Sequence, residues 1–110
     1  MTHKIKKEIE VTDEDIKDIV NKASKGMTYW SGNMKIEGLA VGEYFTFGDA
    51  IADGKRVRIY DSEEEKWHIL TLKKLLVGIS LMDKHDFYEY DMYDCERVIQ
   101  YALFGKQVYA

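Results

Sequence analysis

Thr12-Asp13-Glu14-Asp15-Ile16-Lys17-Asp18-Ile19-Val20-Asn21-Lys22-Ala23-Ser24-Lys25-Gly26, running on into Met27-Thr28-Tyr29-Trp30-Ser31-Gly32-Asn33, carries the clearest fold signal in this chain. Ile16, Ile19, Val20 and Ala23 recur at i, i+3, i+4 and i+7, the spacing of one helical stripe. Thr12 stands where a side-chain oxygen can accept from an orphan amide, and Asp13, Glu14 and Asp15 oppose the positive end of the helix dipole. Gly26 sits where a left-handed C-terminal cap belongs, so the sequence predicts a helix marked at both ends. Tyr29 and Trp30 follow at its exit. As neighbours on a strand they would face opposite ways, and only one could join the core.

On the N-terminal side, residues 3–11 place Ile5, Ile9 and Val11 on one face, with Lys7 interrupting. That predicts a first strand at a sheet edge, where an inward lysine discourages edge-to-edge pairing. On the C-terminal side, Met34 and Ile36 alternate with Lys35 and Glu37 as a second strand. Residues 38–54 are rich in Gly and Asp, with Tyr44, Phe45 and Phe47 embedded, and read as a loop holding one short strand or turn. Residues 56–61 and 67–72 alternate on either side of a polar connection and predict a β-hairpin. Thr71 caps a second helix with Leu72, Leu75, Leu76, Ile79 and Met82 as its apolar set, although Lys73 and Lys74 have the wrong sign for its first turn. Asp91 caps a third, which carries Cys95, Val98, Ile99, Ala102 and Leu103 and stops at Gly105. Gln107-Val108-Tyr109 reads as a last short strand. The sum is an α+β fold, about three helices on a small, mainly antiparallel sheet.

The bulk numbers fit one such domain. At 110 residues the chain is too short for two ordinary domains, and 45 % hydrophobic with 33 % charged residues is a globular composition. Cys95 is the only cysteine, which excludes an intramolecular disulfide and favours a reducing compartment. With no leader and no apolar run near the ~20 residues that span a bilayer, the expected location is cytoplasmic, away from membranes. A formal net charge of −4 argues against direct nucleic-acid binding as the main task.

Catalytic constellations find no support. His3, His68 and His85 lack metal-ligand spacing, no second cysteine exists, and no phosphate-binding glycine loop is present. The chain is therefore read as no enzyme, with no metal and no cofactor. Cys95 lies on an apolar helical stripe and reads as a structural thiol.

Three other constellations remain. In the acidic aromatic segment 83–94, Tyr88, Glu89, Tyr90, Asp91 and Tyr93 offer a protein-binding surface; the plainer reading is a helix connection folded back on the core. Tyrosines supply contact area at low entropy cost, and interleaved carboxyls favour a basic partner. Lys55, Arg56 and Arg58 form a basic group near Tyr60, with Arg56 and Arg58 on one strand face, either as a solvated face or as ligands for a nucleotide's phosphate and base. Tyr29, Trp30 and Ser31, beside Gly32 and Asn33, are either a core plug at the helix–sheet seam or the wall of a ligand pocket.

Taken whole, the chain resembles a family of small proteins encoded in phages and prophages of Gram-positive bacteria. The resemblance rests on Val11-Thr12-Asp13-Glu14-Asp15-Ile16, on Gly26 to Trp30, on Val57-Arg58-Ile59-Tyr60-Asp61 and on Ile99-Gln100-Tyr101-Ala102-Leu103-Phe104-Gly105. These motifs are structural, and the resemblance carries over no reaction and no catalytic position. It implies an accessory phage protein acting inside the host, of the kind that counters bacterial defence. Two forms are expected: an inhibitor that binds a host defence protein through the surface at Tyr88, Tyr90 and Tyr93, or a homo-oligomeric sponge. The sponge would hold a signalling nucleotide with Tyr29, Trp30 and Arg58. A structural or regulatory phage protein is the third reading.

Overall fold

Thr12 begins what its sequence position predicts. In a computed structural model, which describes residues 2–4, 9–38 and 46–109, helix α1 spans Asp13–Gly26. It opens with a reciprocal cap: Thr12 Oγ1 accepts from the Asp15 amide, and Asp15 Oδ2 accepts from the Thr12 amide. Ile16, Ile19, Val20 and Ala23 are all buried. Gly26, expected in a left-handed cap, keeps a right-handed φ of −94° while the chain continues into a 3-10 turn at Met27–Tyr29. What the glycine supplies is room, because a Cβ there would meet Met92 Cγ at 2.7 Å.

The expected single strand over residues 3–11 is instead two. Strands β1 (Thr2–Lys4) and β2 (Glu10–Thr12) pair antiparallel, with Thr2 opposite Thr12. A run whose alternation breaks at Lys7 satisfies its ladder better as two short strands than as one long one. Ile5, Lys7, Tyr44 and Phe45 lie outside the described residues.

A second sheet has the order β3 (Ser31–Ile36), β4 (Val57–Asp61), β5 (Lys66–Leu70), antiparallel throughout. Val57, Ile59 and Leu70 are buried on its inner face against Trp30, α1 and the later helices. Between β3 and β4 the sequence expectation of a loop gives way to helix α2, Phe47–Ala52. Six residues are too few to print a stripe, but Thr46 caps it by accepting from the Asp49 amide. Gly48 then allows it to lie on α1. A Cβ there would come within 2.6 Å of the Lys17 carbonyl oxygen, and the Gly48 amide donates to Asn21 Oδ1 at 2.9 Å.

Helix α3 (Leu72–Ser80) is capped by Thr71, and α4 (Met92–Phe104) by a reciprocal Asp91–Asp94 pair. Gly105 ends α4 in the left-handed conformation, φ 74°. The described residues thus form an α+β fold with four helices and two antiparallel sheets. Residues 107–109 are not a strand; they are a strap tied down by Gln100. Among the described residues no helix is long and apolar enough to cross a membrane.

The α3–α4 contact depends on Gly78, where a Cβ would lie 2.4 Å from the Val98 carbonyl oxygen and 3.0 Å from the Ala102 amide. Gly78→Ala should favour the helix by up to ~1 kcal/mol in propensity. The clash is with backbone and outweighs that, for a net loss of about 1–3 kcal/mol in urea unfolding. An unchanged or raised midpoint would show that the two helices separate freely.

Candidate functional site

The aromatic pair at the end of α1 divides as adjacent residues must. Trp30 is wholly buried, and Tyr29 is 49 % exposed. They nevertheless converge on one atom. Trp30 Nε1 donates to Glu96 Oε1 at 3.0 Å, the Tyr29 hydroxyl donates to the same oxygen, and Gln100 Nε2 adds a third bond at 3.0 Å. Glu96 itself is only 3 % exposed. Burial, and then the bond to Glu96, push the Tyr29 hydroxyl up to about 12. One turn along α4 from Glu96, Gln100 fastens the strap: its Oε1 accepts from the amides of Val108 and Tyr109 at 2.8 Å, and its Nε2 donates to the Tyr109 carbonyl.

The strap brings Tyr109 flat onto Trp30, with ring centroids 5.1 Å apart and 13° between planes, while Phe104 meets Trp30 edge-on. The Tyr109 hydroxyl then donates to both oxygens of Asp61, at 2.8 and 2.6 Å. Asp61 is fully buried and also accepts from the Glu63 and Glu64 amides. Asp61 continues the buried alternation of Val57 and Ile59 along β4. His68 Nε2 lies 3.8 Å from Asp61, and Glu64 completes a trio whose ligand atoms fall within 4.8 Å of one another.

The acidic tyrosine segment is rearranged relative to its sequence reading. Tyr88 is 100 % exposed and Tyr93 67 %, but Tyr90 is 3 % exposed and donates to the Lys84 carbonyl at 2.6 Å. Tyr90 is therefore core, not contact surface: it packs edge-on against Phe87, and its polar tip is satisfied by backbone. Burial, then the Asp94 charge, push its hydroxyl up to about 12. Asp91 is exposed but spends an oxygen on the α4 cap. Glu89 is exposed as well.

Met92 packs beside Gly26, and Tyr88 shares a cleft of about 90 Å³ with Asp15, Asp18 and Lys22. Tyr29, Tyr88, Met92 and Tyr93 are all exposed, at the chain's exit from α1 and its approach to α4. Cys95, which lines that cleft, is buried, and burial pushes its thiol up to about 11, which disfavours the thiolate.

The five residues expected to line a nucleotide pocket do not converge. Trp30 is sealed in the core and Tyr29 faces the α1–α4 side. Ser31 is buried, donates to the Asn33 carbonyl at 3.3 Å, and helps line an open depression of about 310 Å³. Arg56 and Arg58 lie across the sheet, on its outer face, where Arg56 approaches Glu37 at 3.7 Å and the Arg58 guanidinium rests 4.8 Å from the centroid of Trp67. Glu96, Gln100, Asp61 and Trp67 are the residues sequence reasoning missed. Tryptophan's need for an acceptor when buried, together with the i, i+4 pair Glu96 and Gln100, is the signal that was available.

Two buried carboxyls make the fold sensitive to acid. Burial alone would raise Asp61, but the Tyr109 hydroxyl and the Glu64 and Glu63 amides outweigh it and hold Asp61 below its ordinary value. Asp94 follows the same pattern, with Lys84 and the Asp91 amide overcoming burial. A pKa depressed in the folded state stabilises above the unfolded value of about 3.9 and is lost as pH falls through the folded one. Urea midpoints should therefore fall below about pH 4, and less steeply in Asp61→Asn plus Asp94→Asn. An equally steep fall in that variant would assign the effect to other carboxyls.

No protein-family model, no curated protein and no solved structure matches this chain.

Proposed function

We propose that this protein is a non-enzymatic binding module whose acidic, tyrosine-bearing α1–α4 face engages a basic surface of a host protein. The setting comes from the resemblance to small phage proteins: inhibition of a bacterial defence effector in the host cytoplasm. The observation that carries the reading is the exposure of Tyr88, Tyr93, Tyr29 and Met92, with Asp18, Glu89 and Asp91 exposed as well. Large, rigid amphipathic rings left in water are the usual energetic centres of interfaces, and surrounding carboxyls steer a cationic partner. The contact set is Tyr29, Tyr88, Met92 and Tyr93 with Glu89 and Asp91; Tyr90 supports it from beneath.

Capture from host lysate with the immobilised protein, read by mass spectrometry, identifies the partner, and titration calorimetry measures it. Tyr88→Ala plus Tyr93→Ala should weaken that complex by roughly 30-fold or more while circular dichroism is unchanged. Full affinity in the double variant would reject the face.

A further inference from the structure

The outer face of the three-stranded sheet carries chemistry that the acidic face does not use. Register fixes its layout: Lys35, Arg58 and Ile69 form one row across β3, β4 and β5, and Asn33, Tyr60 and Trp67 the next. Arg56 extends the first column of cations toward Glu37. The Tyr60 and Trp67 rings are half-buried, 5.2 Å apart and inclined by 58°. Arg58 and Lys35 approach the Trp67 ring at 4.8 and 5.5 Å. Among the described residues, neither Lys35 nor Arg58 makes an ion pair with a carboxylate, although the chain has 20 acidic residues against 16 basic ones. In an acidic protein, two cations held over one indole ring rather than on carboxylates are the distinctive feature of this face.

We infer that this sheet face binds single-stranded nucleic acid. A base can stack on Tyr60, or on Trp67 in place of the cations that lie over it, and stacking tolerates any sequence because every base has a π-face. Lys35 and Arg58 sit within a residue's reach of both rings and supply the charge that a phosphodiester backbone needs. Arg58 is the more specific of the two, since its planar guanidinium can lie on a ring and still donate in its own plane to phosphate. Duplex offers no unstacked bases and is excluded from such a platform. The −4 net charge limits affinity without removing the site, because screening confines each face's field to about 8–10 Å.

The test is fluorescence anisotropy of the full chain with a fluorescein-labelled 12-mer of deoxythymidine, its RNA counterpart, and a blunt duplex at low salt. Binding of the single strands, with a log K against log salt slope of about −1.4 for two neutralised phosphates, is expected. Trp67→Ala should weaken it roughly ten-fold or more, and Arg58→Ala should both weaken it and flatten the salt slope. Should Trp67→Ala lose its circular dichroism spectrum, Tyr60→Leu and Lys35→Gln serve in its place, with the same weakening expected. Three results would overturn the inference: no single-strand binding at low salt, duplex bound as tightly as single strand, or affinity unchanged in the folded variants. Because the α1–α4 tyrosines are untouched by these variants, failure here leaves the host-protein reading to its own test.

Discussion

Replacing Trp30 with alanine is expected to lower unfolding free energy by about 3–5 kcal/mol, the upper range for a core aromatic. The residue is fully buried, stacks on Tyr109, meets Phe104 edge-on and donates to Glu96. A small domain holds ~5–15 kcal/mol in total, so the variant should be partly unfolded or strongly urea-sensitive at room temperature. Trp30→Phe separates the contributions. It keeps a six-membered ring and removes the indole donor; Glu96 Oε1 retains the Tyr29 and Gln100 donors, so the loss should be near the ~0.5–1.5 kcal/mol of one hydrogen bond together with a small packing loss. A loss below ~1 kcal/mol for Trp30→Ala would contradict its place in the core.

Glu96→Ala should rank next. It removes the common acceptor of the Trp30 indole, the Gln100 amide and the Tyr29 hydroxyl, and leaves two of those donors without access to water. About 3 kcal/mol is the expected loss, because each stranded buried donor costs ~1–3 kcal/mol and neighbouring losses do not add fully. The variant has a second readout. Gln100 is oriented by Glu96 and in turn holds the Val108 and Tyr109 amides, so hydrogen exchange at those two amides should accelerate. Unchanged exchange would mean that the Tyr109–Asp61 bond fastens the strap unaided. Tyr29→Phe, by contrast, deletes one half-exposed donor and should change stability by less than ~1 kcal/mol.

Much of the helical part of this architecture could be read from the chain because local chemistry and global packing agree there. Thr12, Thr71 and Asp91 cap the helices they precede, Gly105 stops α4, and the Ile16 to Ala23 stripe is the buried one. The hairpin was legible from the alternation between Arg56 and Leu70. Three elements were not. Helix α2 is shorter than two turns and exists because Gly48 fits against α1, a tertiary fact with no periodic trace. The β1–β2 pair is only three residues deep, too short for alternation to fix its partner. Gly26 has the position of a cap and the role of a spacer, which only the location of Met92 reveals.

Site residues divide along the same line. Exposure of Tyr88 and Tyr93 agrees with their acidic surroundings. Tyr90 sits among the same carboxyls, yet its Cα lies just before the α4 cap, where the side chain is turned inward and its hydroxyl finds a carbonyl. Glu96 and Asp61 mislead in the opposite sense. Each is a charged residue type on an inward-facing position, and composition counts both toward the surface. Net charge misleads similarly, because a sum over 110 residues hides that Lys35, Arg56 and Arg58 share one sheet face.

The oxygen shared by Tyr29 and Trp30 has an optical consequence. Indole emission depends on the hydrogen bond at Nε1, and that bond ends on the atom that also receives the hydroxyl of a surface tyrosine. A partner that takes the Tyr29 hydroxyl away from Glu96 leaves that oxygen to the indole and Gln100, and the buried indole registers the change. With Trp67 replaced by phenylalanine, the chain becomes a single-tryptophan probe that reports, without a label, on contact at its own surface.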